Sequence, residues 1–422
     1  MNATARVLTG LAAGALAGLL LAATAPAFAS RAAAVVQPFG RLWLEALQMP
    51  VVPLVLALVV VGVNTAADAA ASGRIARRAL VVFLALLAFG AALAALLAPL
   101  LFGLFPPQPA LADVLRHAAP ATVPAAPVGW ADALLAVIPT NPLNAAAQGA
   151  MLPLVVFALF MGFAVTRLEP ARRQGLVEFF QALAAAMTVI VRWVLAVAPL
   201  GVFALMFALG ARAGAGMLGA LGLYVLVESL IYLLAGLAML PIAVYGGRLG
   251  WRRFVSAAAP AQAVAASTQS SLAALPAMLE GAGRLGLPGQ VGALVLPMAV
   301  SLLRLTSPVQ YLTSAAFIAW ALGVPLAPGT LVAGAALAVV ISLGSIGLPG
   351  QVTFIATNLP VAQAMGVPTA PLGLMLAVDA LPDVLATVGN VTADLAAAAL
   401  VARRSAPDAE AVPAARYHAD NV

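Results

Sequence analysis

The chain has 422 residues, 64% of them hydrophobic and 8% charged, with a formal net charge of +6. Its mean hydropathy is +1.09. A soluble domain carries roughly 25% charged residues, so this composition excludes an ordinary soluble fold and predicts a multispanning membrane protein. There is no cysteine, which excludes disulfides, thiolate nucleophiles and Cys-based metal sites. The two histidines, His117 and His418, lie far apart in polar segments, so a His-based catalytic or metal constellation is excluded as well. No enzyme chemistry and no organic cofactor are expected. The basic residues are all arginine and sit mostly in short connections between apolar runs, which argues against nucleic-acid binding.

The first apolar stretch, about residues 7–29, ends in Ala-Phe-Ala and resembles a signal peptide. It is longer than a typical signal core and is followed at once by further spans, so it reads as the first transmembrane helix. Apolar runs of about 20 residues suit a bilayer crossing. Spans are expected near 7–29, 40–66, 77–105, 131–166, 177–211, 217–246, 287–322 and 368–403. Glu228 in the sixth span reads as a group with a partner in the bundle or as a proton site. Pro-rich breaks such as 105–109 and 120–127 mark connections.

Two segments fit none of these spans. Residues 266–276 (ASTQSSLAALP) and 342–350 (SLGSIGLPG) set Ser, Gly and Pro inside hydrophobic stretches near 252–285 and 327–365. Irregular backbone at membrane depth is tolerated where it is buried in protein or lines a cavity. Paired interruptions of this kind point to a transporter binding site.

Arginine sets the expected orientation. Arg74, Arg77 and Arg78, then Arg167, Arg172 and Arg173, then Arg248, Arg252 and Arg253, then Arg403 and Arg404 fall on one side if every span crosses. The other side carries Arg31, Arg41, Arg116 and Arg212. The rich side is cytoplasmic by the positive-inside rule, which puts both termini in the cytoplasm of a bacterial-type inner membrane. The two interrupted segments then enter from opposite sides as inverted re-entrant hairpins. The expected fold class is all-α: eight transmembrane helices plus two such hairpins.

The motifs MPVVPL (49–54), IPTNP (138–142) with GAML (149–152), APLGVFA (198–204), GSIGLPG (344–350) and NVTAD (390–394) occur in this order. Together they resemble the dicarboxylate/amino acid:cation symporters, over about residues 5–404. That resemblance implies a homotrimer moving a small amino acid or carboxylate by an elevator mechanism. It implies a scaffold of spans 1, 2, 4 and 5 (1–76 and 130–215). The transport unit would hold spans 3, 6, 7, 8 and both hairpins (77–105 and 217–403), with residues 404–422 as a cytoplasmic tail.

The same resemblance supplies site residues. Ser270 and Ser271 match the serine-rich tip that holds a substrate carboxylate; their bland reading is helix capping. Ser342, Ser345 and Gly347 match the gate and ion ligands at the second tip. Asp383 matches the residue that holds the substrate amino group, Asn390 an asparagine at its carboxylate, and Asp394 a sodium-ligating carboxylate. Asp383, Thr387, Asn390 and Asp394 follow offsets of 4, 3 and 4 and share one helical face. Two unpaired carboxylates at the bilayer centre would cost about 5–7 kcal/mol, so they are expected to face inward.

Three positions depart from the family pattern. Ala386 stands where acidic-substrate members carry arginine, a bidentate partner for a carboxylate, so glutamate and aspartate are expected to be poor substrates. Leu303, Arg304, Leu305, Thr306 and Ser307 replace a sodium-ligating Asn-Met-Asp-Gly-Thr, leaving only Ser307 in place of its threonine. Residues 80–98 of span 3 hold no hydroxyl. Hard cations prefer oxygen ligands, so a sodium site is expected to be lost. Arg304 is then read as a fixed cation pairing with Asp383 or Asp394 in place of sodium, or as a side chain reaching an aqueous cavity. Sodium and proton both stay open as coupling ion. The alternatives are a sodium-independent exchanger and a non-transporting binding relative.

Overall fold

The computed structural model describes residues 3–71, 73–106, 138–148, 150–213, 215–344 and 350–409. The second tip, with Ser345 and Gly347, lies outside the described residues, as do residues 131–137 and 149 of the expected fourth span and residues 410–422 of the tail. The described residues are all-helical, and six of their helical segments are long and apolar enough to cross a membrane.

The chain opens with α1 (Ala3–Thr24), α2 (Pro26–Gln48), α3 (Val51–Ala71) and α4 (Arg74–Gly103). The short α5 (Pro142–Ala147) and α6 (Met151–Val165) follow, then α7 (Pro170–Ala196), α8 (Ala198–Ala213) and α9 (Ala215–Pro241). The last of these runs into a π turn at Ile242–Gly246. Two helical pairs, α10 (Trp251–Thr268) with α11 (Ser271–Leu285) and α14 (Pro328–Gly344) with α15 (Gly350–Ala364), enclose α12 (Gly289–Leu302) and α13 (Thr306–Leu322). The chain continues through α16 (Leu372–Val378) to α17 (Asp383–Ala409).

Several expected spans prove to be two helices in series. Residues 177–211 divide at Val197, because Pro199 has no N–H to donate one turn back. Residues 368–403 divide at Asp379–Pro382, where Pro382 has the same effect and Leu381 N–H closes a tight turn on the Val378 carbonyl. Helix also begins earlier than the expected second span, at Pro26, a residue favoured at the first helical position.

The α1–α8 contact is set by glycine. A Cβ on Gly10, Gly14 or Gly18 would lie 2.4, 2.5 and 2.4 Å from the carbonyl oxygens of Pro199, Phe203 and Phe207. The four-residue spacing lets the two backbones touch along a continuous stripe, the small-xxx-small mode of membrane helix packing. Helix α8 also packs on α2, and α3 packs on α6 and α7. Trp43 Nε1 donates to the Val194 carbonyl at 3.0 Å. Arg173 Nε donates to Asn64 Oδ1 at 3.1 Å, and the same guanidinium pairs with Asp68.

Around α17 the packing residues are small. Ala257, Ala258, Ala261 and Ala265 of α10 meet Ala393, Ala396, Ala397 and Ala398 of α17 in one core with Phe83 and Leu87 of α4. A Cβ on Gly281 of α11 would stand 2.6 Å from the Ala257 carbonyl, so α10 and α11 lie in near-backbone contact. Arg253 donates twice to the Arg284 carbonyl, at 3.1 and 3.0 Å, and ties together the ends opposite the tip.

Candidate functional site

Three interruptions of helix meet at one place. The first is the α10–α11 turn. Gln269 takes the left-handed conformation (φ 51°, ψ 36°) and closes α10. Ser270 follows as the N-cap of α11, its side chain accepting from the Ala273 amide at 3.3 Å. The capping reading of Ser270 therefore holds, and Ser271 is the first residue of the helix it starts. Gln269 Nε2 donates to the Ala380 carbonyl at 3.0 Å, pinning the tip to the second interruption, the turn between α16 and α17.

That turn places two carboxylates. Asp379 closes α16 and Asp383 opens α17, and the Asp383 amide donates to the Asp379 carbonyl at 3.1 Å. Asp379 is fully buried, and its Oδ1 accepts from Gln310 Nε2 at 2.6 Å. The Thr387 hydroxyl donates to the Asp383 carbonyl at 2.8 Å.

The third interruption is Leu303–Leu305, between α12 and α13. Arg304 sits in it, and its guanidinium acts electrostatically on both Asp379 and Asp383. Of the two partners expected for Arg304, it is thus Asp383 that feels its charge, with Asp379 added. Three residues on, in the first turn of α13, Ser307 N–H donates to the Arg304 carbonyl at 2.9 Å. The Thr306 amide and hydroxyl each donate to Asn390 Oδ1 at 3.0 Å, locking α13 to α17. Ser307 and Ala386 are both buried.

The stepped residues of α17 do lie on one helix. Asp394 is in its middle rather than at an end, fully buried, and neither of its carboxylate oxygens has a hydrogen-bond partner among the described residues. Ser342, on α14, turns its hydroxyl to the Ala338 carbonyl at 2.8 Å. Beside this polar region a largely apolar crevice of about 260 Å³ lies between α9, α10 and α17, with Tyr232, Gln262 and Thr392 in its wall.

The sequence assigns no role to three polar residues that join this region, although Asp379 stands out as a charge in the expected last span. Gln269 and Gln310 are glutamines at long-range contacts, and local periodicity carries no trace of either. Asp379 stands four residues before Asp383, on the far side of a proline that ends the shared helical face.

A helical protein with six candidate spans, three helix breaks brought together and two carboxylates under the charge of an arginine belongs to the class of multispanning membrane transporters. The sodium:dicarboxylate symporter family model matches residues 3–404, and this chain belongs to that family. Its relatives include the proton/glutamate-aspartate symporter of Escherichia coli K12, 27% identical over 87% of this chain and 84% of that protein. The proton/sodium-glutamate symport protein of Bacillus subtilis 168 is 26% identical over 87% and 85%. C4-dicarboxylate transport protein 2 of Ralstonia nicotianae is 30% identical over 91% and 86%. The chain is accordingly a transporter of this family and not an enzyme, and a multi-pass membrane protein.

Proposed function

We propose that the protein takes up a small amino acid or carboxylate across the cytoplasmic membrane, in symport and by an elevator movement. The observation that carries the reading is the meeting of three helix interruptions, through Gln269 and Ala380 on one side and Thr306 and Asn390 on the other. A solute there meets the N-terminus of α11, whose free amides favour a carboxylate. It meets the Asp383 carboxylate, which suits an ammonium group. The α10–α11 and α14–α15 pairs act as inverted re-entrant hairpins in this reading, Ser345 and Gly347 forming the second tip.

The packing supports a division into a fixed part and a moving part. Helices α1–α3 and α5–α8 form the scaffold of a homotrimer. Helices α4 and α9–α17 form the unit that carries solute, with both chain termini in the cytoplasm. Helix α3 meets α4 and α14 across the division.

Specificity and coupling follow from the substituted positions. Ala386 offers no cation to a second carboxylate, so neutral or small solutes are preferred over glutamate and aspartate. With Leu303 and Leu305 supplying no side-chain oxygen, sodium has few ligands left, and Asp394 with Asn390 and Ser342 is the remainder of an ion site. The effect of Arg304 on Asp383 favours a second reading, a sodium-independent exchanger in which this guanidinium replaces the coupling cation.

A thermal-shift screen of amino acids and dicarboxylates, each with and without sodium, tests the proposal. Stabilisation by a carboxylate-bearing solute supports it, since a ligand of the folded state raises the unfolding temperature by mass action. No response to any such solute, with no exchange by reconstituted vesicles, overturns it.

A further inference from the structure

Helix α9 carries one carboxylate inside its apolar length, Glu228, and the family-like pocket does not use it. Its side chain is fully buried. Tyr232, one turn on, donates its hydroxyl to Glu228 Oε1 at 3.0 Å. Glu228 Oε2 is buried with no hydrogen-bond partner among the described residues. Asp379 shows the same half-satisfied state, with Oδ1 held by Gln310 and Oδ2 buried without a partner.

The two carboxylates belong to one electrostatic group. Glu228 acts on Asp379, and Asp383 acts on both. With Arg304 the group holds three acids and one base. Fully ionised, it would carry two uncompensated negative charges, with Glu228 and Asp379 fully buried. A buried charge is strongly disfavoured unless paired, and an intramembrane ionisable residue is by default a functional group. A carboxyl that binds a proton also gains the donor its bare oxygen lacks.

Other charged groups around α9 leave this arithmetic unchanged. From its own face come Tyr224 and Tyr232. From α13 comes Tyr311, with Arg304 just before that helix and Asp379 and Asp383 at the α16–α17 turn, and α17 carries the buried Asp394 three turns further on. Helix α4 has its arginines, Arg74, Arg77 and Arg78, in its first two turns, and α10 has Arg252 and Arg253 in its first turn. Helix α8 has Arg212 near its C-terminal end, and α16 has no titratable residue.

We propose that Glu228 is a proton-carrying site of this transporter, loaded together with a carboxylate-bearing solute. The inference rests on the transport reading above and names its coupling ion. The solute's carboxylate adds negative charge beside Asp379, Asp383 and Arg304. A proton taken from water onto Glu228 offsets that charge, and it returns to water when the solute leaves on the other side. No bond other than the carboxyl O–H forms or breaks. Tyr232 holds Oε1 and leaves Oε2 to take the proton. Tyr232 also lines the crevice between α9, α10 and α17, which brings open space to the residue that positions the carboxyl.

Glu228→Gln is the direct test, since the amide keeps the shape of the protonated acid and still accepts from Tyr232. Purified full-length protein is reconstituted in vesicles and assayed with labelled succinate, aspartate and alanine. We expect the variant to exchange whichever of these the wild type exchanges, but to lose accumulation driven by an inward proton gradient. Proton-driven accumulation equal to wild type, with exchange intact, overturns the inference and leaves the transport reading standing. Absence of exchange by the wild type overturns the transport reading and takes the inference with it. If Glu228→Gln fails to fold, Glu228→Asp decides: a moved pH profile for uptake supports the site, and an unmoved one overturns it. Infrared difference spectra between acid and alkaline wild type supply a readout independent of transport. A protonated-carboxyl band missing from Glu228→Gln supports the assignment, and an unchanged band overturns it.

Discussion

Asn390 Oδ1 accepts both the amide and the hydroxyl of Thr306, each at 3.0 Å. One side-chain oxygen thereby caps the start of α13 and fastens it to the middle of α17. Both residues are buried, so no water stands ready to replace the bond. Asn390→Leu strands the Thr306 amide and leaves its hydroxyl only the Ala386 carbonyl, at 3.4 Å. Leaving a buried donor unsatisfied costs about 1–3 kcal/mol. We expect a lowered unfolding temperature of the purified protein and loss of solute-induced stabilisation. Retention of both would remove Asn390 from the site.

Gln269 combines a left-handed backbone with a long-range hydrogen bond. Gln269→Gly keeps the conformation and removes only the bond to Ala380. Gln269→Val adds the strain of a β-branched residue at positive φ, on the order of 1–2 kcal/mol. Solute affinity should fall in both variants, and thermal stability should fall further in the valine variant. Equal stability of the two would show that the turn relaxes without cost.

The charge of Arg304 acting on Asp383 predicts weak dependence on sodium. Uptake into reconstituted vesicles should change little when an inward sodium gradient is replaced by choline. Strong sodium dependence with positive cooperativity would defeat the reading of Arg304 as a fixed cation. Arg304→Met removes the one positive charge acting on Asp379 and Asp383 among the described residues, and uptake of carboxylate-bearing solutes should fall by about tenfold or more, the equivalent of 1.4 kcal/mol.

Ala386 is buried on the face of α17 that carries Asp383, Thr387 and Asn390. Ala386→Arg should raise uptake of aspartate and glutamate relative to alanine, because a guanidinium can bind a second carboxylate in bidentate fashion. Competition between labelled alanine and unlabelled aspartate reads the change directly. No gain for aspartate would separate this pocket from the second carboxylate.

Much of the architecture could be read from local pattern. The run of apolar stretches implied helices across a membrane, and the 4, 3, 4 spacing of Asp383, Thr387, Asn390 and Asp394 implied one helical face. Serines after Thr268 implied a helix start, which Ser270 provides. Prolines were harder to weigh. Pro199 and Pro382 divide helices, whereas Pro260, Pro276 and Pro297 sit inside them. A proline's effect depends on whether neighbouring helices re-satisfy the carbonyl it abandons. The contacts of Gln269 with Ala380 and of Gln310 with Asp379 span 111 and 69 residues. No local period encodes such pairs. Glu228 was visible as a charge in an apolar run, but its membership of one group with Asp379 and Asp383 exists only in three dimensions.

The glycine stripe of α1 limits how the molecule can move. Gly10, Gly14 and Gly18 rest directly on the carbonyls of α8, with no side chains between them to re-pack. A screw rotation of α1 by one residue, about 100°, would bring Leu11, Ala15 and Leu19 onto those oxygens. This joint therefore has a single register, and any displacement during a work cycle must be taken up by other helix pairs.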